Sequence, residues 1–211
     1  MKKILSLCFL CIAYSLSAQN KATKILEQCA QTIKKSYAIE TSFSISENFL
    51  NNKSDYTIEG MLINKGNKFV LDTPDSKTWF DGKTQWSLLK NNEEVNISSP
   101  TAQELTMLNP ISLIELYQRG NKTICKGEKK MNGTTMQEIQ IVSSNKQSVW
   151  SSLNLLINKT TLLPASITFK QRDGKTSTIH FAKMKTRVNL PDSFFVFNQK
   201  AYPNVEIIDL R

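Results

Sequence analysis

The stretch TWFDGKTQWSLL, residues 78–89, decides the fold class because it encodes a β-hairpin. Asp81-Gly82 separates two apolar runs, and a tight turn of this kind needs the positive φ that glycine adopts without steric cost. The flanking runs predict two antiparallel strands with Trp79 and Trp86 close together across the ladder.

The same strand-like alternation extends in both directions from this hairpin. Upstream, residues 39–45 and 56–62 alternate between apolar and polar, on either side of the turn-rich sequence NNKSD at 51–55. Downstream, turns at 132–133 and 173–174 separate further alternating runs. The pattern predicts a meander of antiparallel strands with one apolar face and one solvated face.

Two segments carry helical periodicity instead. Residues 22–35 place apolar side chains at helical spacing and predict an amphipathic helix. In residues 101–118, Thr101 and Glu104 can form a capping box, and Pro110 interrupts an apolar stripe. We therefore expect a short helix, a break at the proline and a second short helix.

The chain has 211 residues, of which 40% are hydrophobic, enough for one domain with a buried core. The predicted architecture is mainly β: a single strongly curved antiparallel sheet with one helix at its start and a helical insertion in its middle. If the helices pack permanently on the inner face, that face is an ordinary core. If they can lift, it becomes a pocket for a hydrophobic ligand, and the residues alone leave both readings open.

The N-terminal sequence indicates a cleaved secretory signal peptide over residues 1–18. Two lysines precede an apolar run from Ile4 to Leu16, and small residues end at Ala18. We expect maturation near Gln19, leaving a soluble exported protein over residues 19–211.

Losing Lys2 and Lys3 lowers the formal charge from +9 to +7. A basic exported protein can meet anionic membrane surfaces, or its charge can serve solubility alone. The run KGEKK at 126–130 is interpreted as a solvated hairpin end, and no nucleic-acid partner is expected. Cys29 and Cys125 remain after cleavage, and a disulfide between them requires α-carbons within about 7 Å.

Catalytic chemistry has little support in the sequence. His180 is the only histidine, and it lies in a strand pattern rather than beside a nucleophile. The sequence has no nucleophile elbow, no cluster with metal-ligand spacing and no phosphate-binding loop. We therefore expect no enzyme activity, no cofactor and no metal, the alternative being a carboxylate site assembled in space.

Several features in order resemble the LolA-type periplasmic outer-membrane lipoprotein carrier family. These are F-D-G-K-T-x-W at 80–86, the Asn-Pro helix break at 109–110 and the closing P-x-V-E-x-I-D-L-R at 203–211. The resemblance implies an incomplete β-barrel covered by α-helices, whose hollow shelters the acyl chains of a lipoprotein or another lipid. It further implies a monomer that an inner-membrane lipoprotein-releasing transporter loads and an outer-membrane acceptor unloads.

The resemblance also assigns residues to this hollow and to its helical lid. The residues of the hollow are Phe43, Leu62, Phe69, Leu71, Trp86 and Leu88. The residues of the lid are Ile25, Leu26, Ile33, Leu105, Leu108, Ile111 and Ile114.

One position departs from the best-known branch of the family. That branch carries Arg-Pro just before the strand of Phe69, and its arginine holds the lid closed. Here Lys65-Gly66 occupies the place, which makes Lys65 a candidate latch with a point charge instead of a planar fork.

The alternative function within this fold is a periplasmic module that senses lipoproteins or lipids and acts by protein contact. Such a regulator is expected to carry an extra interaction domain after the last strand.

Overall fold

The computed structural model describes residues 20–49, 52–186 and 188–211. The predicted signal peptide, residues 1–18, lies outside the described residues. The expectation of a single mature domain over 19–211 stays a prediction.

The described chain is mainly β, as the alternation predicts. Two helices are α1, at 20–34, and α2, Ala102–Leu108. The twelve strands are β1 Ile39–Phe49, β2 Asn52–Lys65, β3 Lys68–Asp72, β4 Ser76–Phe80, β5 Gln85–Leu89, β6 Glu94–Ser98, β7 Lys122–Met131, β8 Thr134–Val142, β9 Trp150–Asn158, β10 Pro164–Gln171, β11 Thr176–Thr186 and β12 Glu206–Asp209. Short 3₁₀ helices span Pro110–Arg119, Asp192–Phe195 and Gln199–Ala201.

The chain divides into two compact units. Unit 1 contains the residues up to Thr32 and Ile114–Ser177, and unit 2 contains Ile33–Leu113 and Thr178–Arg211. In unit 1 the strand order is β10-β9-β8-β7, and in unit 2 it is β12-β6-β5-β4-β3-β2-β1-β11. The consecutive pairs from β1 to β6 and from β7 to β10 are antiparallel, whereas β12 runs parallel to β6.

The hairpin predicted at 78–89 is present as β4 and β5. Trp79 lies directly opposite Trp86, as expected from the sequence. In the loop, Asp81 Oδ1 accepts hydrogen bonds of 2.8 Å from the backbone N–H groups of both Lys83 and Thr84. Gly82 has a φ of 102°, so the loop needs the glycine that the sequence supplies there.

Part of the NNKSD sequence is strand and not turn. The strand β2 begins at Asn52, where it pairs with Phe49, and Lys53 pairs with Asn48. Local turn preference is overridden here because cross-strand pairing satisfies the backbone hydrogen bonds.

The interrupted helix is confirmed, although its second half is not α-helical. At the start of α2, the Thr101 hydroxyl accepts from the backbone N–H of Glu104, whose carboxylate accepts in return from the backbone N–H of Thr101. The helix ends at Leu108, and Pro110 begins a 3₁₀ segment of ten residues. This segment crosses the boundary between the two units.

The core of unit 1 lies on one face of β8, β9 and β10. The alternating residues Ile139, Leu155 and Ile167 are fully buried, and the register places them side by side. The helix α1 is joined to the edge strand β7 by a hydrogen bond of 2.9 Å between the hydroxyls of Thr23 and Thr123.

Cys29 and Cys125, the two cysteines considered for a disulfide, both lie in unit 1. Both are free thiols. Cys29 is fully buried, and burial raises its pKa to about 12. Cys125 is partly exposed.

Candidate functional site

Unit 2 contains an apolar sheet face that we name the Phe69 face. Its members are found from the register, because residues directly opposite each other on neighbouring strands point to the same side. Phe69 lies between Asn64 and Phe80, and Leu71 lies between Leu62 and Thr78. Because side chains alternate along a strand, this face contains Phe43, Leu62, Phe69, Leu71 and Phe80.

Close packing characterises this face. Phe43, Leu62, Phe69 and Phe80 are each no more than 5% exposed, and Leu71 is partly exposed. The rings of Phe69 and Phe80 have centroids 5.4 Å apart. The aromatic surface is therefore continuous across β3 and β4.

The opposite side of the same strands, the Trp79 face, is a closed core. Its buried residues are Ile63, Val70, Trp79, Leu88 and Val95, together with Phe195 from the C-terminal segment at 188–205. The C-terminal segment also packs Leu190, Phe197, Tyr202 and Val205 against this cluster.

The prediction that six residues line one hollow is wrong for Trp86 and Leu88. Trp86 lies opposite Trp79, and Leu88 lies opposite Val95, so both point to the Trp79 face. The reason is register: Phe69 pairs with Phe80, which is one residue from Trp79 and therefore points the other way. The other four residues of the prediction share the Phe69 face.

Lys65, the candidate latch, also lies on the Trp79 face, and its ammonium contacts the C-terminal segment. Its ammonium donates hydrogen bonds of 2.8 Å to the Leu190 carbonyl and of 2.8 Å to Asp192 Oδ1. Lys68 forms a second ion pair, of 2.7 Å, with Asp192 Oδ2. The hydrogen bond from Lys65, followed by that from Lys68, lowers the pKa of Asp192 to about 2. Both lysines thus fasten the C-terminal segment to the sheet.

A cleft of about 640 Å³ opens where β5 and β6 meet α2. It is lined by Gln85, Ser98, Ser99, Pro100, Thr101, Glu104 and Leu108. Gln85 and Ser98 face each other and belong to the Phe69 side of the sheet. On this side the large apolar residues lie on β1–β4, together with the buried polar residues Thr41, Asn64 and Thr78, and hydrogen-bonding residues predominate on β5–β6.

The predicted lid residues divide between the two units. Ile25, Leu26 and Ile114 are buried in unit 1. Ile33, Leu105, Leu108 and Ile111 belong to unit 2, and of these only Ile111 is fully buried. Leu108 contributes to the cleft, so α2 is the predicted lid element that the structure places beside the polar part of the Phe69 side.

The sequence analysis did not single out Phe80, Gln85 or Ser98, which also belong to this side. Phe80 is directly opposite Phe69, and its signal was its position next to Trp79 in an alternating strand. Gln85 begins β5, and its Nε2 donates a hydrogen bond of 2.9 Å to the Ser87 hydroxyl. Its Oε1 is buried with no hydrogen-bond partner among the described residues. No sequence pattern predicts this feature.

Several ionisable groups of unit 2 form ion pairs at the surface. Asp72 pairs with Lys90 at 2.7 Å and with Lys77 at 3.1 Å. Partial burial tends to raise the pKa of Asp72, but the hydrogen bonds from Lys90 and Lys77 together lower it. His180 is exposed on β11. Over 20–49, 52–186 and 188–211, no three His, Cys, Asp or Glu residues come together as a metal site.

Among the helices that the structure describes, none has the length and apolar character needed to cross a membrane.

Comparison with protein-family models identifies the family to which this chain belongs. The family described as "Outer membrane lipoprotein carrier protein LolA" matches residues 13–175. This chain belongs to the LolA family. A comparison with curated proteins found no match.

Two solved structures similar to this LolA family member agree with it in fold. An uncharacterised conserved protein from Thermus thermophilus is 12% identical, with a TM-score of 0.61, over 90% of this chain and 99% of its own. A DUF1329 family protein from Desulfovibrio piger is 12% identical, with a TM-score of 0.50, over 88% of this chain and 99% of its own. A LolA superfamily protein from Nitrosomonas europaea is less similar, at 11% identity and a TM-score of 0.43, over 83% of this chain and 97% of its own.

Proposed function

We propose that this protein is a periplasmic carrier that shelters the acyl chains of lipoproteins, or of a similar amphiphile, and delivers them to the outer membrane. Membership of the LolA family supports a carrier of lipoproteins. The single structural observation that carries the proposal is the Phe69 side of unit 2, where the aromatic and aliphatic cluster of Phe43, Leu62, Phe69, Leu71 and Phe80 on β1–β4 is followed by mainly hydrogen-bonding residues on β5–β6.

An amphiphile has an apolar part and a polar part, which could contact the apolar and the polar parts of this side of the sheet. Each methylene removed from water is worth about 0.8 kcal/mol, so a multiply acylated protein needs an apolar shelter to leave one bilayer for another. Phe69, Leu71 and Phe80 would contact acyl chains. Gln85 and Ser98 would lie near the polar linkage that joins those chains to the protein.

For acyl chains to reach the Phe69 face, the element that covers it must move, and α2 is suited to this movement. A helix of seven residues is marginal by itself, because nucleation costs are repaid only over longer helices. Leu105 and Leu108 are only partly buried. Moving α2 away from the cleft would widen the cleft of about 640 Å³ toward the Phe69 face. Closure of the empty site would compete with the ligand and keep binding reversible.

In this proposal the mature protein, residues 19–211, is a monomer in the periplasm. An inner-membrane lipoprotein-releasing transporter loads it, and an outer-membrane acceptor receives the cargo. It works without a cofactor and without a chemical reaction.

Two matched substitutions on opposite faces test the proposal. Leu71 on β3 and Ile97 on β6 are both partly exposed, but Leu71 lies on the Phe69 face and Ile97 lies opposite Trp86 on the Trp79 face. Burying an unpaired amide costs about 1–3 kcal/mol, so Leu71→Gln should weaken binding of a fluorescent triacylated lipopeptide by about tenfold or more. Ile97→Gln should leave this affinity unchanged. Equal affinities of the two variants would contradict the assignment of the Phe69 face.

The cargo can be identified directly. Native mass spectrometry of protein purified from its own periplasm should reveal an acylated polypeptide. A bound lipid without a polypeptide would retain the shelter and change the cargo. Protein that is empty and also fails to extract lipoproteins from membranes would exclude the carrier function.

A further inference from the structure

From residue 20 onward, the net positive charge of the chain comes entirely from unit 1. From residue 20 onward, unit 1 contains twelve Lys and Arg against five Asp and Glu, whereas unit 2 contains thirteen of each. The formal charges are therefore +7 and 0. Solubility depends on the net charge of the whole surface and does not require the charge to lie in one unit. The uneven distribution therefore suggests a more specific role.

Part of this charge lies along the second half of β7, from Lys126 to Lys130, and continues past the β7–β8 turn to Lys159 at the start of the β9–β10 loop. The turn is formed by Asn132 and Gly133, both at positive φ, so that β7 reverses abruptly after Met131. The backbone N–H of Lys159 donates a hydrogen bond of 3.0 Å to the Thr135 carbonyl, which holds the β9–β10 loop beside this turn.

We define the basic tip as Lys21, Lys126, Lys129, Lys130 and Lys159 together with Glu128 and Glu138; all five lysines are exposed. Glu128 lies among the cations: Lys159 forms an ion pair of 2.9 Å with it, and this hydrogen bond, with a smaller contribution from the charge of Lys21, lowers the pKa of Glu128. Lys129 pairs with Glu138 at 3.4 Å.

Two acids cannot balance five lysines, so the tip keeps a formal charge of +3. Among the described residues, neither Lys126 nor Lys130 has an ion-pair partner. Lys126 occupies the β-bulge at which β7 shifts register between Cys125 and Gly127, and a bulge redirects a side chain away from the regular ladder.

We propose that the basic tip docks on the anionic phospholipid headgroups of a membrane. The composition favours a bilayer over an acidic protein. Ten of the twelve cations of unit 1 are lysines, and protein interfaces are depleted in lysine and enriched in arginine. Lysine is a flexible point charge, suited to the diffuse potential of a lipid surface rather than to bidentate recognition.

Docking would hold the carrier at a membrane while cargo moves in or out of the site. This role in delivery rests on the proposed carrier function, whereas docking itself rests on the charge of unit 1. Each lysine near an anionic surface contributes about 1 kcal/mol, and the attraction is screened by salt over about 10 Å at 0.1 M.

Vesicle co-sedimentation of the mature protein tests the docking. The protein should bind phosphatidylcholine vesicles that contain phosphatidylglycerol and not vesicles of phosphatidylcholine alone, and high salt should release it. The double variant Lys126→Glu/Lys130→Glu should bind at least about 25-fold more weakly, from the contribution of two lysines. The matched control Lys35→Glu/Lys200→Glu changes the net charge equally, but in unit 2, and should bind as the parent does.

The outcomes are distinct. Absence of binding to anionic vesicles at low salt would overturn the proposal and leave an acidic protein as the partner of the tip. Equal losses in both double variants, with unchanged thermal unfolding, would overturn it in favour of a net-charge effect. Lipopeptide affinity should be the same in both double variants and in the parent. If the parent binds vesicles but no lipopeptide, the carrier function fails while the docking stands.

Discussion

Lys65 and Asp192, 127 positions apart in the chain, are joined by an ion pair of 2.8 Å. The contact fastens the end of β2 to the C-terminal segment that closes the Trp79 face. The family resemblance makes Lys65 a candidate latch for the helical lid, which stays a prediction. In the structure the same residue fixes the C-terminal segment, on the side of the sheet away from the proposed acyl site.

The ion pairs of Asp192 should give stability that depends on pH. The pKa of Asp192 is lowered from 3.8 to about 2 in the folded protein, so its contribution is fully present above pH 3.8 and is lost as the pH falls through about 2. Asp192→Asn should lower the midpoint of thermal unfolding at pH 5 to 7, and the difference from the parent should vanish toward pH 2. Asp209→Asn is the control: Arg211, two residues away, lowers the pKa of Asp209 to about 2 as well, but a pair this close in sequence can also form in the unfolded chain and should add little to folding stability. A difference for Asp192→Asn that persists at pH 2 would contradict this account.

Phe195 should anchor the C-terminal segment far more strongly than its neighbour. Phe195 is completely buried against Trp79 and its cluster, whereas Phe194 is 38% exposed. Removing a buried phenylalanine leaves a cavity and costs about 3–5 kcal/mol. Urea unfolding should show a loss of this size for Phe195→Ala and a much smaller one for Phe194→Ala. Similar losses for both would mean that the segment is not held through Phe195.

Gly60 should tolerate no side chain. A Cβ there would lie 2.6 Å from Phe43 Cζ and 2.7 Å from the Asp72 carbonyl oxygen. Overpacking of this kind costs about 1–3 kcal/mol, so Gly60→Ala should lower the free energy of unfolding by that amount. The double variant with Phe43→Ala removes the ring contact but not the carbonyl contact, and should remain less stable than Phe43→Ala alone. An unchanged stability of Gly60→Ala would show that β2 is farther from its neighbours than described.

The thiols of Cys29 and Cys125 should differ sharply in reactivity in the protein without residues 1–18. Burial raises the pKa of Cys29 to about 12, so almost none of it is thiolate at pH 8, and it is inaccessible to reagents. Cys125 is partly exposed and should react in the native state. A thiol-reactive dye should therefore label one group before unfolding and two after it, and Cys125→Ser should abolish the native labelling. Rapid labelling of Cys125→Ser would indicate that α1 opens readily.

Much of the local structure follows from short patterns. The hairpin around Asp81-Gly82, the capping box of Thr101 and Glu104, and the end of α2 before Pro110 each depend on residues within a few positions of one another. Steric preference and local hydrogen bonding are enough to specify them. The order of these motifs also led to the LolA family, which the family comparison confirms.

The assignment of side chains to faces was only partly predictable. Alternation shows that Phe80 and Trp79 point in opposite directions, but not which of them shares a face with Phe69. That depends on the register of β3 with β4, where a shift of one residue would exchange the two sides. Trp86 and Leu88 were therefore assigned to the wrong side, although the strand that contains them was predicted.

By itself, the sequence determined that this protein is mainly β, where the hairpin at Asp81-Gly82 turns, where α2 begins and ends, and to which family the chain belongs, because these depend on neighbouring residues and their order. Only the tertiary structure decided that Trp86 belongs to a closed core, that Lys65 holds Asp192, and that the surplus positive charge falls in unit 1. These features depend on strand register and on contacts between residues more than a hundred positions apart, which a local pattern does not encode.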